Sequence, residues 1–255
     1  MHVTQRNETQ ATAHRLPSPA PDASGRFIER GAIANRWIAL AYRAGAIIAI
    51  AMGIARITGL LSGSPSWDSL LFFTVQSNIL CLLWVAALIV VTLSDLAASG
   101  AHGTSTPSAR LSGAVMMAIT VTMLIYLVVL VPTTFEQAGD YEVFSLTDNL
   151  VHIITPCLVI VDWLLFVPKG SFRWIEPPLW ALIPYAYLVF AFTAGAAGVE
   201  FNPGQTYPYP FMNVAELGVG GVALWIIALS VALIGFGYVY VVVDRLLSWV
   251  GKPVT

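Results

Sequence analysis

The chain has 255 residues, of which 57% are hydrophobic and only 10% charged, with a formal net charge of −2. With the 20 glycines the apolar share reaches about 65%, against roughly 45–50% in a soluble domain, so a soluble globule is excluded and the bilayer is the solvent. A nucleic-acid binder is excluded as well, because no basic surplus exists to meet phosphates.

Residues 1–30 are rich in Thr, Gln, Ser, Ala and Pro, and bury too little to offset their ordering entropy. They are expected to form a disordered cytoplasmic tail. No apolar core occurs in the first 36 residues, so no cleavable signal peptide is expected. Residues 31–255 then read as one all-α domain with six membrane-crossing runs, at about 37–61, 70–93, 111–131, 149–167, 178–198 and 217–243. Helices are required because lipid offers the backbone no hydrogen-bond partner. No internal repeat is visible, which leaves an inverted-repeat transporter unsupported.

The first run carries Gly45, Ala49 and Gly53 at four-residue spacing, a stripe that normally marks close helix packing. Arg56 continues that stripe and is expected to face the bundle. It either pairs with Asp68, Asp148 or Glu200, or receives a substrate carboxylate. Arg43, near the other end, is expected to snorkel. In the second run Thr74, Ser77, Asn78 and Cys81 share one helical face. In the fourth, Asp148 and His152 are four apart, with Pro156 one turn deeper. Asp162 and Trp163 read as interfacial anchors. The segment Tyr207-Pro-Tyr-Pro-Phe211 is extended by its prolines, and either lies along the interface or caps the bundle.

Lys and Arg set the expected orientation. Ten of the twelve fall in the tail, the 2–3 and 4–5 connections and the C-terminal end, while the other three connections have none. The positive-inside rule then puts both termini in the cytoplasm and the protein in the cytoplasmic membrane. Thr74 and His152 each lie four residues below the outer boundary of their runs, at about 6 Å depth.

The remaining composition narrows the chemistry. Lys169 and Lys252 both lie outside the spans, so a retinal Schiff base has no lysine. His152 is the one intramembrane histidine, and Cys81 and Cys157 are the only cysteines, so haem, zinc and disulfide readings lack partners and no cofactor is expected. Both cysteines read as packing residues. What is left is a hydroxyl and an imidazole at matching depth. A threonine hydroxyl becomes a nucleophile when histidine takes its proton. Asn78 would donate to the developing oxyanion, and Asp148 would orient the ring. The same groups also serve in many membrane proteins as interhelical glue.

Phe72-Phe-Thr-Val-Gln-Ser-Asn78, Asp148-Asn-Leu-Val-His152, Pro156, Asp162-Trp-Leu-Leu-Phe166 and Tyr207-Pro-Tyr-Pro-Phe211 together resemble the bacterial six-helix relatives of the androgen-induced-gene membrane proteins. The resemblance spans about residues 37–247. Characterised animal members are membrane hydrolases of fatty acid esters of hydroxy fatty acids that use an intramembrane threonine and histidine. The resemblance therefore implies those roles for Thr74 and His152, a lipid-ester substrate, and membrane lipids as the partner. The motifs around them differ between the bacterial and animal branches, so the substrate need not be shared. The competing expectation is a non-enzymatic bundle that binds or moves a lipid or small amphiphile.

Overall fold

A computed structural model describes residues 27–132 and 144–250. Among these, six helices are long and apolar enough to cross a membrane: α1 (Arg36–Ile57), α2 (Phe73–Ser99), α3 (Ala109–Leu130), α4 (Leu146–Phe166), α5 (Glu176–Ala196) and α6 (Val214–Ser248). Residues 133–143 lie outside the described residues, as does the tail up to residue 26.

Local chemistry moves several helix ends. Helix α1 stops at Ile57 because the Thr58 amide closes back on the Ile54 and Arg56 carbonyls, and Gly59 turns away at φ +72°. Residues Trp67–Leu71 wind as a separate 3₁₀ turn, so α2 starts at Phe73 and Thr74 falls in its first turn. Helix α6 runs through a kink at Gly218, whose φ of +66° suits a residue without Cβ. Residues 27–30, expected in the tail, instead enter a short hairpin in which β1 (Ile28–Glu29) pairs with β2 (Ala32–Ile33). The Lys169 amide donates to the Arg30 carbonyl (2.9 Å), which fastens the hairpin to the α4–α5 connection.

Helix α3 is the centre of the bundle. Every residue from Ser112 to Thr122 is buried, as expected of a helix that is apolar all round. It packs on α2, α4, α5 and α6, while α1 covers α2 and α4. Gly113 permits the contact with α5, since a Cβ there would lie 2.4 Å from the Trp180 ring.

The buried face of α1 differs from the expected glycine stripe. It consists of Arg36, Ala39, Arg43, Ala46, Ile50 and Gly53, and Gly45 looks outward into open space. Arg43 does not snorkel: it is fully buried and pairs with Asp162 of α4 at 2.8 Å. Its guanidinium also donates to the Thr92 hydroxyl (2.6 Å) and the Ser105 carbonyl (2.9 Å). Asp162 and Trp163 are therefore core residues and not interfacial anchors, with 4% and 2% exposure. Their expected surface role fails because α1 supplies a cation at the same level. Cys81 is buried as expected, whereas Cys157 is exposed on the outside of the bundle.

At the same end, Lys169 is buried between α4 and α6. Its ammonium donates to the Trp163 and Val167 carbonyls at the end of α4 (2.6 and 2.5 Å). Burial pushes its pKa down to about 8, against the opposing pull of the Asp244 and Asp162 charges. Asp244 of α6 accepts the Phe172 amide (2.9 Å), so this connection is held from both sides.

Candidate active site

Two prolines shape the site before any catalytic group is considered. Pro132 and Pro156 have no amide to offer to the carbonyls four residues earlier, Val128 and His152. In both helices the preceding turn widens to π geometry, over Tyr126–Leu130 in α3 and Asn149–Ile154 in α4. The last amides before the prolines, those of Val131 and Thr155, reach back five residues to Tyr126 and Leu150. Such π turns re-aim side chains and are frequent at functional sites. Here they bring Tyr126 and His152 face to face, with ring centroids 4.1 Å apart and planes 8° from parallel. The Tyr126 hydroxyl accepts the Phe144 amide (2.9 Å), so the ring that braces His152 is itself tied down.

The expected pairing across α2 and α4 is present. Thr74 Oγ1 lies 3.3 Å from His152 Nε2, with both residues buried. The other ring nitrogen, Nδ1, points back along α4 to Asp148, whose Oδ1 is 3.8 Å away. That separation is an electrostatic contact and not a hydrogen bond. Asp148 is fixed by Ser145 at the start of α4: the Ser145 hydroxyl donates to Oδ2 (2.9 Å) and accepts the Asp148 amide (3.2 Å).

Asn78 does not fill the expected oxyanion role. Its two amide hydrogens are committed to the Thr74 carbonyl (2.7 Å) and the Val151 carbonyl (3.0 Å). It is fully buried and clamps the residue before His152 to the turn that carries Thr74. Ser77 adds a second clamp, with its hydroxyl 2.7 Å from that of Thr122 in α3.

A further polar side chain reaches the cavity from the α5–α6 connection. The Tyr207–Phe211 segment caps the bundle, with Tyr209 and Phe211 buried and stacked on each other. The Tyr209 hydroxyl faces the Thr74 hydroxyl and the Phe73 and Thr74 amides at the α2 N-terminus. Burial pushes the Tyr209 phenol up, against the opposing pull of the Thr74 hydroxyl and the Phe73 and Thr74 amides nearby. The N-cap residue Phe72 offers that helix end no side-chain cap, so the Phe73 and Thr74 amides have Tyr209 as their neighbour. The Tyr187 hydroxyl donates to the Leu71 carbonyl (3.0 Å) and holds the 3₁₀ turn against α5.

Thr74, Asp148, His152 and Tyr209 line one cavity of about 760 Å³. Arg56 and Asp68 line it too. Arg56 is exposed, and its Nε donates to the Thr147 hydroxyl (3.1 Å). Among the described residues it forms no ion pair with Asp68, Asp148 or Glu200. No group of three or more metal-ligating side chains occurs among the described residues. Comparison with protein-family models, curated proteins and solved structures found no match.

Proposed function

We propose that this protein is an intramembrane carboxylic-ester hydrolase acting on a lipid ester, with Thr74 as nucleophile and His152 as general base. The observation that carries the reading is the 3.3 Å approach of Thr74 Oγ1 to His152 Nε2 beside Asp148, at a cavity wide enough for a lipid head. Hydroxyl, imidazole and carboxylate in series are the parts that activate a serine or threonine, whatever the fold.

With the Asp148 carboxylate beside Nδ1, the proton sits on Nδ1 and leaves Nε2 free to accept. His152 takes the Thr74 proton as Oγ1 bonds to the ester carbonyl carbon. The carbonyl electron pair moves onto oxygen, where the Tyr209 hydroxyl donates to it. Collapse expels the alcohol, which leaves with the proton from His152. Water then enters through the cavity, gives a proton to His152 and attacks the acyl-threonine. The carboxylic acid departs and Thr74 recovers its proton. Arg56 at the mouth supplies a cation for an anionic substrate group. A fatty acid ester of a hydroxy fatty acid, the substrate type the sequence resemblance implies, carries such a carboxylate.

The orientation is also part of the proposal. The connections at the site end, 58–72 and 197–213, carry Asp68 and Glu200 and no Lys or Arg. The opposite end carries Arg30, Arg36, Arg110, Lys169, Arg173 and Arg245, and Arg56 at the cavity is the one cation against the trend. By the positive-inside rule both termini are cytoplasmic and the cavity opens to the outer leaflet of the cytoplasmic membrane.

An alkyl fluorophosphonate tests the chemistry. Covalent labelling of Thr74, lost in folded Thr74→Ala and His152→Ala proteins, is the expected result. Ester turnover should fall in acid as the imidazole protonates. Tight lipid binding with neither labelling nor turnover would replace the hydrolase with the carrier reading.

A further inference from the structure

Behind the Thr74 cavity lies a second pocket of about 180 Å³, lined by α2, α3, α5 and α6 and by the capping segment. Successive residues of α2 serve the two spaces. Thr74 lines the polar cavity, and Phe73, about 100° around the helix, lines the apolar pocket. Tyr209 lines both and, among the described residues, is the one residue common to the two linings. The deep part of the pocket is made by Val121, Tyr187 and Leu233, all buried. Its rim includes Val128 and Phe236, which are 65% and 42% exposed on the outside of the bundle. The mouth therefore opens sideways between α3 and α6, toward hydrocarbon and away from water.

The pocket is almost wholly apolar, and the hydroxyl-bearing residues of its lining are Tyr185, Tyr187, Tyr209 and Ser230. The Ser230 hydroxyl is spent on the Ile226 carbonyl (2.6 Å), and the Tyr187 hydroxyl on the Leu71 carbonyl. Anything bound there must be apolar along its whole buried length, because an unpaired polar group would be costly. The volume is near that of an engineered cavity of about 150 Å³ known to admit benzene, so a few carbons fit and a longer chain must leave by the lateral mouth.

We propose that this pocket receives the acyl chain of the ester whose carbonyl lies at Thr74, and that it selects an unbranched, unsubstituted aliphatic chain. The inference rests on the hydrolase reading. The ester lies beside Tyr209, where the two spaces meet: the acyl carbons run into the apolar pocket, and the alcohol portion stays in the polar cavity near Arg56. The acyl chain reaches Thr74 from the bilayer without crossing water. Branching or a hydroxyl on the first carbons of the acyl chain would clash with the lining or go unpaired. The same groups on the alcohol side meet a polar space.

Ethyl, hexyl and 2-ethylhexyl fluorophosphonates read the pocket through the rate of Thr74 labelling in purified, detergent-solubilised protein. Wild type should react faster with hexyl than with ethyl and discriminate against the branched chain by about tenfold or more. Leu233→Phe should lower the hexyl-to-ethyl ratio, and Leu233→Ala should narrow the discrimination against 2-ethylhexyl. Opposite changes from one position distinguish a shaped pocket from general loss of structure, which slows every probe together. Labelling of Thr74 with the same chain profile in both variants overturns the pocket assignment and leaves the hydrolase intact. No labelling of Thr74 by any probe overturns the hydrolase reading and the acyl assignment with it. If both variants fail to fold, 4,4-azipentanoic acid, whose diazirine lies within the few carbons that the pocket holds, decides the matter on wild type. Cross-links at Val121 or Leu233 uphold the pocket, and cross-links confined to Val128 and Phe236 overturn it.

Discussion

Tyr126 of α3 and His152 of α4 stack with centroids 4.1 Å apart, each presented by a π turn that ends before a proline. The stack fixes the plane of the imidazole, so Nε2 stays aimed at Thr74 and Nδ1 at Asp148. Tyr126 touches no reacting atom in the proposed chemistry and is a positioning residue. Tyr126→Leu should lower kcat by about 10- to 100-fold with little change in KM, because a misplaced base costs rate and not binding. Tyr126→Phe keeps the stack and should retain most activity despite losing the bond from the Phe144 amide. Equal losses in both variants would assign the effect to that bond and not to ring alignment.

Part of this site was legible in the sequence and part was not. The six spans were readable because run length and the need for internal hydrogen bonding leave few alternatives. The meeting of Thr74 and His152 followed from face and depth. Asn78 was misread because its face was right but its donors are consumed by the Thr74 and Val151 carbonyls, which spacing cannot reveal. Tyr126 and Tyr209 were missed because they reach the site from a third helix and a capping segment. Pro132 and Pro156 were the available signal for the π turns, each removing one helical amide. Arg43 and Asp162 were misread because each was taken alone. Considered together, an intramembrane cation and an intramembrane acid toward the same end form the expected pair.

That buried pair carries a stability prediction. Arg43 and Asp162 have side chains 0% and 6% exposed, so removing one partner strands a charge out of reach of water. Arg43→Met should destabilise the bundle by about 3–5 kcal/mol, and the double variant Arg43→Met/Asp162→Leu should recover much of the loss. Thermal unfolding in detergent micelles measures both. A double variant no more stable than Arg43→Met would show that the bonds to Thr92 and Ser105, and not the ion pair, hold α1 in place.

The orientation has its own test, with positions chosen to avoid strained glycines. Ser64, in the α1–α2 connection, and His102, in the α2–α3 connection, are both exposed at opposite ends of the bundle. In a Cys157→Ser background, Ser64→Cys should react with an impermeant maleimide added outside whole cells. His102→Cys should react only after the membrane is opened. The reverse pattern would put the termini outside and the Thr74 cavity in the inner leaflet.

Lys169 makes a prediction about pH. Its pKa is lowered in the folded protein from 10.5 to about 8, chiefly by burial. Between those values the folded side chain is neutral while the unfolded one still holds its proton, so the unfolded state binds more protons. Stability must then rise with pH across that window, and below pH 8 the buried ammonium contributes its full penalty. Lys169→Met abolishes this contribution, and tyrosines and other groups that titrate nearby cancel in the comparison. The wild-type melting temperature, measured from about pH 7.5 to about pH 9.5, should climb relative to that of Lys169→Met by several degrees. Parallel curves for the two proteins would mean that the carbonyls of Trp163 and Val167 and the charges of Asp162 and Asp244 already offset the desolvation in full. The lysine would then keep its proton throughout the range, and the α4–α5 connection would be held by a permanent charge.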